Sequence, residues 1–242
     1  LIEIHPERGS SQPVAIVAED APAGATTVTV DYAGDARPKT GEWIELRWYN
    51  DKGKDTLLDW LYGGVVPTGR MGSELRASTA ARVREWVRVA RVEGGTVTLG
   101  QPLRVPVRTA WRCELVRRPH LTEVGVEGLA FEFPETPYPG HLKEKGYNGI
   151  YIRALINGWV RDIRTQFADS GIILGACKHV TVRDVVLRGR MMHHPLCVSW
   201  GSDNLFTRWR IEAPHVHGTT ISWCSHGNVF SHGRGYRLAM DS

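Results

Sequence analysis

The sequence predicts an all-β protein whose C-terminal half is a solenoid of stacked β-coils. A composition with 26 glycines, 13 prolines and 9 tryptophans in 242 residues suits many short strands joined by tight turns. An apolar pattern also recurs in the second half of the chain, without the 3.6-residue spacing of an amphipathic helix. Together these observations favour short strands that stack in parallel, one coil above the next.

The longer of two repeated motifs has the form apolar-x-x-apolar-x-apolar. It occurs at residues 126–131, 160–165, 182–187 and 206–211, with starts 34, 22 and 24 residues apart. Only Thr165 departs from the pattern, and residues 230–235 keep the register with glycines at the large positions. The spacing predicts that equivalent positions of successive coils lie above one another.

A shorter, alternating motif runs in step with the first. Asn204 and Asn228 stand two residues before equivalent phenylalanines, so we expect their amides to bond along the stacked turns. Trp200 and Trp223 follow the shorter motif by two residues, so we expect them to stack inside the solenoid. The residue pairs of this motif are Ile150/Ile152, Ile172/Leu174, Leu196/Val198, Thr219/Ile221 and Leu238/Met240.

On these repeats the chain resembles the right-handed parallel β-helix proteins of the pectate-lyase-like superfamily. That group includes polysaccharide lyases, polygalacturonase-type hydrolases and phage tailspikes. The resemblance covers residues 119–242, about half of the chain. It implies a right-handed parallel β-helix, and it is less specific for an activity because one scaffold can host several chemistries.

The first half of the chain has no such period. Residues 25–30 and 42–48 alternate like strands, residues 84–99 fit a hairpin, and residues 56–64 fit a short helix. We therefore expect an irregular β-rich subdomain at 1–104, capping or inserted into the first coils, and β-helix coils at 105–242. The chain starts without a methionine or signal peptide and stops within a strand-like pattern, which predicts a fragment cut at both ends.

Charge and cysteine content narrow the expected partners. The chain has 30 Lys and Arg against 26 Asp and Glu, and this excess is too small to indicate a nucleic-acid partner. No apolar run approaches the roughly 18 residues of a membrane-spanning helix, so no membrane partner is expected. The cysteines lack CxxC spacing and are expected to be buried and unpaired: Cys113, Cys177, Cys197 and Cys224.

Polar loops follow the longer motif in successive coils. Insertions at equivalent points of a solenoid lie on one face, which often binds ligands. Five of the ten histidines fall in three of these loops. We expect the loops at 133–148, 166–170, 188–195, 212–218 and 233–237 to form one rim with these side chains: Tyr138, His141, Lys143, Lys145, Tyr147, Asp169, Arg188, Arg190, His193, His194, His215, His217, Arg234 and Tyr236.

This rim has the residue types for β-elimination on an acidic, uronate-containing polysaccharide. The reaction needs a cation beside the substrate carboxylate, a base for the adjacent carbon and an acid for the leaving oxygen. The assigned roles are base (His193 or His194), carboxylate binding (Arg190 and Lys143), acid (Tyr147 or His217) and orientation of a histidine (Asp169). The other expected substrate-binding residues are Tyr138, His141, Arg188, His215 and Arg234. Such a substrate implies a secreted or periplasmic protein.

Hydrolysis by aspartates is one alternative, since it needs two carboxylates on one face. The rim offers Asp169 and Glu212, and the opposite turn offers Asp203 and Asp241. Polygalacturonase-like enzymes carry Asn-Thr-Asp, Asp-Asp, Gly-His-Gly and Arg-Ile-Lys motifs, and the calcium-binding aspartates of pectate lyases have no counterpart here. Only the fragments ADSG at 168–171 and SHGN at 225–228 match, which disfavours the polygalacturonase mechanism.

Two further alternatives remain. No cofactor is predicted, but a divalent metal is possible. Adjacent His193 and His194 are expected to point different ways on an extended chain, so at most one could join His215 or His217 at a zinc-like site. The chain could also be a non-catalytic, glycan-binding or structural β-helix.

Overall fold

The computed structural model describes residues 1–50, 56–66, 68–235, 238 and 240–241, with side chains at all of these except 71, 72, 74, 77, 240 and 241. It divides into two compact units, Leu1–Arg8 with Pro119–Ser242, and Gly9–Arg118. The sequence interpretation set one boundary, between residues 104 and 105. The first strand, β1 (Ile2–Ile4), belongs to the unit that holds the C-terminal half.

The unit of residues 9–118 is a closed antiparallel barrel with the strand order β2-β3-β6-β5-β4-β7. Alternate side chains along the strands point inward and fill the interior, where Ile44 and Trp48 are fully buried. The predicted hairpin joins β5 to β6, and Gly94 takes the positive φ that its turn requires. The barrel strands are β2 (Gln12–Val17), β3 (Thr27–Tyr32), β4 (Trp43–Trp48), β5 (Val83–Glu93), β6 (Thr96–Leu99) and β7 (Cys113–Arg117).

Short helices lie between the barrel strands. The predicted helix is α1 (Leu57–Leu61), and it begins at a capping box in which Thr56 and Asp59 satisfy each other's backbone N–H groups. A second helix, α2 (Gly69–Ala77), and a 3-10 turn at Thr109–Trp111 were not predicted. No helix among the described residues has the length and apolarity needed to cross a membrane.

The other unit is a parallel β-solenoid, so the predicted all-β fold with β-helix coils is confirmed. In its described residues, one sheet has the order β1-β10-β12-β14-β16-β19, and a second has β17-β15-β13-β11-β8 with β9 on β11 and β18 on β15. The strands are β8 (Leu121–Thr122), β9 (Gly125–Glu132), β10 (Asn148–Arg153), β11 (Leu155–Gln166), β12 (Ser170–Gly175), β13 (Lys178–Arg188), β14 (His194–Ser199), β15 (Leu205–Ile211), β16 (Thr219–Ser222), β17 (Val229–Ser231), β18 (Arg234–Gly235) and β19 (Met240–Asp241).

The register of the longer motif is the predicted one. Val160 pairs with Val126 on one side and Val182 on the other, and Phe206 follows Val182 and pairs with Phe230. The two phenylalanine rings stack with centroids 4.3 Å apart. Apolar positions of successive coils therefore form one continuous buried core.

The shorter motif keeps its predicted register from Ile150 as far as Thr219. Beyond that point the prediction was wrong by two residues, because Thr219 pairs with Met240 instead of Leu238. The sequence also gave no signal that Ile2 of β1 would pair with Ile150 and extend this sheet. In the sequence, all the residues of the barrel stand between β1 and the coils.

The predicted asparagine ladder is confirmed. Asn204 donates from Nδ2 to Oδ1 of Asn228 at 2.8 Å, and its own Oδ1 accepts the N–H of Val180 at 2.9 Å. Asn204 is buried, so these bonds satisfy polar groups that water does not reach.

Trp200 and Trp223 do stack, with ring centroids 5.0 Å apart, but the expectation that they lie inside was wrong. Trp223 is 57% exposed. Both residues have φ above 50°, the left-handed region, and this breaks the in-and-out alternation of the preceding strands. None of the four cysteines, all of which the structure describes, is in a disulfide; Cys113, Cys177 and Cys197 are buried as expected, whereas Cys224 is exposed.

Candidate functional site

Backbone hydrogen bonds stack the predicted rim loops coil upon coil. The Asp169 N–H donates to the Tyr147 carbonyl at 2.7 Å, and the His193 N–H donates to the Asp169 carbonyl at 2.6 Å. The His217 N–H then donates to the His193 carbonyl at 3.0 Å. These residues, which we call the loop column (Tyr147, Asp169, His193 and His217), come from segments up to 70 residues apart in the sequence. Stacking of the coils is what makes them neighbours.

Four imidazoles gather on this column and form the histidine cluster (His141, His193, His194 and His217). Nε2 of His141 lies 3.1 Å from Nε2 of His193 and 3.3 Å from Nε2 of His217. The His194 ring stacks on the rings of His193 and His217, with centroids 4.2 and 4.6 Å away. The expectation that His193 and His194 point different ways was therefore wrong, because the bend of the chain at the start of β14 brings both rings to one side.

A carboxylate that the sequence interpretation missed supports the cluster. Glu144 lies with Oε1 at 3.3 Å from Nδ1 of His193 and accepts a hydrogen bond of 2.5 Å from the Tyr138 hydroxyl. The only sequence signal was its presence in the same loop as His141. Tyr138, expected to bind substrate, instead contacts Glu144.

The charges in this group shift one another's pKa values. Burial lowers the pKa of the His193 imidazole, and neighbouring His141 and His217 add to this while Glu144 opposes it. Burial raises the pKa of Tyr138, and with the hydrogen bond to Glu144 that pKa reaches about 12. Burial also acts to raise the pKa of Glu144, but the bond from Tyr138 and the charge of His193 leave it lowered. Tyr138 is thus a hydroxyl donor to a carboxylate at neutral pH.

Asp169 and Arg190 form a buried ion pair. Arg190 donates from Nη2 to Oδ1 of Asp169 at 2.6 Å, and Oδ2 of Asp169 accepts the Tyr147 N–H at 2.7 Å. The Asp169 side chain is 1% exposed and that of Arg190 8%. The carboxylate therefore positions Arg190 and Tyr147. The sequence analysis had expected it to orient a histidine. Arg190 pairs with Asp169. The sequence analysis had expected it to bind the substrate carboxylate.

His194 also contacts a neighbouring strand, and the other predicted rim residues lie outside the histidine cluster. His194 has Nδ1 at 3.1 Å from Oγ1 of Thr220. His215 pairs with Met192 in a backbone bridge, so it is near His193 in the stack, but its Nδ1 faces the Ala213 carbonyl. Lys143 is exposed on the loop of His141. Lys145 is also exposed there, and Tyr236 lies outside the described residues.

An arginine-rich cleft of about 460 Å³ lies on the outer face of β11, β13, β15 and β18, and we call it the arginine cleft. Arg234 belongs here, beside Arg210, instead of with the histidines. Arg208 donates two hydrogen bonds of 2.7 Å to Asp184. The signal for this cleft was arginine recurring at outward positions of the longer motif. Its lining residues include Asp162, Arg164, Asp184, Arg208, Trp209, Arg210, His232 and Arg234.

Three of the four carboxylates considered for the hydrolase alternative form ion pairs with basic side chains. Asp203 pairs with the fully buried Lys178. Glu212 lies 3.0 Å from Arg188, an expected substrate-binding residue. Asp169 is held by Arg190, and the side chain of Asp241 is outside the described residues.

Fold and site together define a parallel β-solenoid with a polar, histidine-bearing ridge of stacked loops. No protein-family model matches the chain, and no curated protein matches its sequence. Among solved structures, it is similar to the tailspike protein of Pseudomonas phage LKA1, with 12% identity over 96% of this chain and 42% of that one, and a TM-score of 0.46.

Two more tailspikes show a comparable likeness. The one from Acinetobacter baumannii bacteriophage AP22, solved with a capsular saccharide, is 11% identical over 94% of this chain and 46% of its own, with a TM-score of 0.45. The one from Pseudomonas phage phi297 is 14% identical over 95% and 48%, with a TM-score of 0.47. The chain spans less than half the length of each tailspike.

Proposed function

We propose that the chain is a carbohydrate-active β-helix protein that binds an acidic, uronate-containing polysaccharide and cleaves it by β-elimination at the histidine cluster. The observation that carries the proposal is the convergence of four imidazoles, with a supporting carboxylate, on the loop column. Imidazoles can exchange protons near neutral pH, which this reaction requires.

In this proposal His194 is the base. Its ring stacks on those of His193 and His217 within the cluster. His194 would take the proton from the carbon beside the uronate carboxylate. As a double bond forms to the next carbon, the bond from that carbon to the glycosidic oxygen breaks, and Tyr147 would return a proton to this oxygen.

The arginine cleft supports the acidic nature of the substrate. It carries four arginines against two aspartates. Strand β13 leaves this face after Val186 and leads directly into the rim loop that begins at Arg188. A polyanion bound along the coils would therefore meet a positively charged face beside the histidines. The same cleft favours a second candidate function, which is glycan binding without cleavage.

The test is incubation of the protein with a panel of uronate polymers, recording ultraviolet absorbance and reducing ends. New absorbance together with new ends is expected, because elimination leaves a conjugated double bond. New ends without absorbance would mean hydrolysis and overturn the proposal. Binding without either product would establish the glycan-binding alternative.

A variant pair locates the chemistry. His194→Ala is expected to lower the elimination rate at least about 100-fold, the usual size of a lost proton-transfer group, while substrate binding persists. His5→Ala, an exposed histidine of the N-terminal segment, is the matched control and is expected to keep the wild-type rate. Equal rates in both variants would remove His194 from the mechanism.

The proposal also includes membership of the pectate-lyase-like superfamily and a location outside the cytoplasm.

A further inference from the structure

We infer that His141, His193 and His217 form a binding site for one divalent transition-metal ion, with zinc as the best match. Ring nitrogens of these three residues all lie within 4.8 Å of one another. They come from the 133–148 insertion and from two successive coils, so the site exists only in the folded solenoid.

The spacing of the nitrogens fits a tetrahedral ion. With zinc–nitrogen bonds of about 2.0–2.1 Å, two ligands of a tetrahedral site are about 3.3–3.4 Å apart. Nε2 of His141 is 3.1 Å from Nε2 of His193 and 3.3 Å from Nε2 of His217. The ring nitrogens of His193 and His217 complete the trio within the same 4.8 Å limit.

Nε2 of His141 faces a ring nitrogen of each of the other two histidines. A neutral imidazole nitrogen either carries one hydrogen or presents one lone pair. Nε2 of His141 can therefore complete a hydrogen bond with His193 or with His217, but not with both. A cation at the centre could instead be bound by one lone pair from each of the three rings.

Glu144 supplies the outer support that metal-bound histidines usually have. A carboxylate at Nδ1 of the ring favours the tautomer with its hydrogen on Nδ1 and its lone pair on Nε2. Oε1 of Glu144 lies 3.3 Å from Nδ1 of His193, and the Tyr138 hydroxyl fixes Glu144 in turn. Nε2 of His193, the nitrogen left with the lone pair, is the one that faces the cluster.

The type of ligand selects the class of metal. Three imidazoles suit zinc, copper or nickel, whereas calcium and magnesium prefer oxygen ligands. Three protein ligands leave a fourth tetrahedral position for water or a substrate oxygen. His141 is exposed, so solvent reaches the site from the side of this residue.

The metal also suggests a role at the substrate, and this role rests on the proposed function. β-Elimination needs a cation beside the uronate carboxylate, and the arginine expected there, Arg190, is committed to Asp169. An ion held by the three histidines would provide that positive charge beside His194.

The test of the site uses the full chain after treatment with a chelator, without substrate. Zinc titration is expected to give about one ion per chain, and cobalt to give the visible absorption of a tetrahedral site. Calcium and magnesium are expected not to bind in the same range. Zinc should also raise the unfolding temperature, because it binds the folded chain. Failure of zinc and cobalt to bind stoichiometrically would overturn the site.

Variants identify the ligands. His141→Ala, in an exposed loop where folding is not at risk, should abolish stoichiometric binding and the zinc-dependent rise in unfolding temperature. Glu144→Gln should weaken zinc binding about 10–100-fold. His215→Ala, in the same loop as His217 but with Nδ1 facing Ala213, should bind like the wild type. Unchanged binding in His141→Ala would contradict the assignment.

Activity measured with and without chelator separates this inference from the proposed function. Loss of elimination in the chelator and its return with zinc would support the carboxylate role. Stoichiometric zinc binding with chelator-insensitive elimination would keep the site and overturn the role. Elimination by a chain that binds no zinc would keep the proposed function and overturn the site.

Discussion

Arg190 donates a hydrogen bond of 2.6 Å to the carboxylate of Asp169 inside the stack of rim loops. The same carboxylate accepts the Tyr147 N–H, so it joins three successive loops. The pair is nearly closed to solvent. Its contribution is structural, since it fixes the loops from which His193 projects.

Removing one member of this pair should be costly. We expect Arg190→Ala to lower the free energy of unfolding by about 3–5 kcal/mol, because it leaves the Asp169 carboxylate buried and uncompensated. Urea denaturation monitored by tryptophan fluorescence measures the change. Arg188→Ala breaks the half-exposed pair with Glu212 and should cost about 0–1 kcal/mol. Equal losses in both variants would show that the Asp169 pair has no special structural role.

The asparagine ladder should stabilise the coils through Asn204. Asn204→Ala leaves the buried N–H of Val180 without its acceptor, so we expect a loss of about 1–3 kcal/mol in unfolding free energy. Ser231→Ala, which removes an outer hydroxyl bonded to Thr207, should change it by less than about 0.5 kcal/mol. The midpoints and slopes of urea denaturation curves give the unfolding free energies of both variants. A loss in Asn204→Ala no larger than that of the control would argue against the ladder.

Close stacking of coils at Gly171 should exclude any side chain there. A Cβ atom on Gly171 would lie 2.3 Å from the Pro195 carbonyl oxygen of the next coil. We expect Gly171→Ala to cost about 1–3 kcal/mol, since backbone must shift. At Gly175 an added Cβ would meet no atom closer than 3.4 Å, so Gly175→Ala should be nearly neutral. Thermal unfolding of the two variants compares them, and the reverse order would contradict the stacking.

The arginine cleft should govern affinity for a polyanion. We expect the double substitution Arg210→Ala with Arg234→Ala to weaken binding of a polyuronate several-fold at low salt, because it removes two positive charges from one face. The difference from wild type should shrink near 1 M salt, where the screening length is about 3 Å. Arg91→Ala, on the barrel, is the control and should bind normally. Isothermal titration gives the affinities. Unchanged affinity in the double variant would exclude the cleft as the binding face.

The coils and their register could be predicted because one physical requirement repeats. Every coil must bury apolar side chains on the same two sheets, so Val160, Val182 and Phe206 recur at spacings that the sequence displays. Stacking of the loops followed from that register. This is why His193 and His217 were correctly expected to be neighbours.

Other features had no repeating signal. β1 is separated from its partner strand by the whole barrel, and pairing across such a distance leaves no local pattern. Glu144 lies in an insertion without an equivalent in the other coils, so no register placed it beside His193. The outward turn of Trp200 and Trp223 depends on a left-handed backbone that alternation rules do not anticipate.

By itself, therefore, the sequence determined which residues face the core and which loops share an edge, because apolar periodicity reports burial coil by coil. Only the tertiary structure decided which polar groups on that edge contact one another. Arg190 turned inward to Asp169, and three imidazoles converged beside Glu144. Such pairings depend on side-chain direction and on the path of an irregular loop, and residue spacing specifies neither.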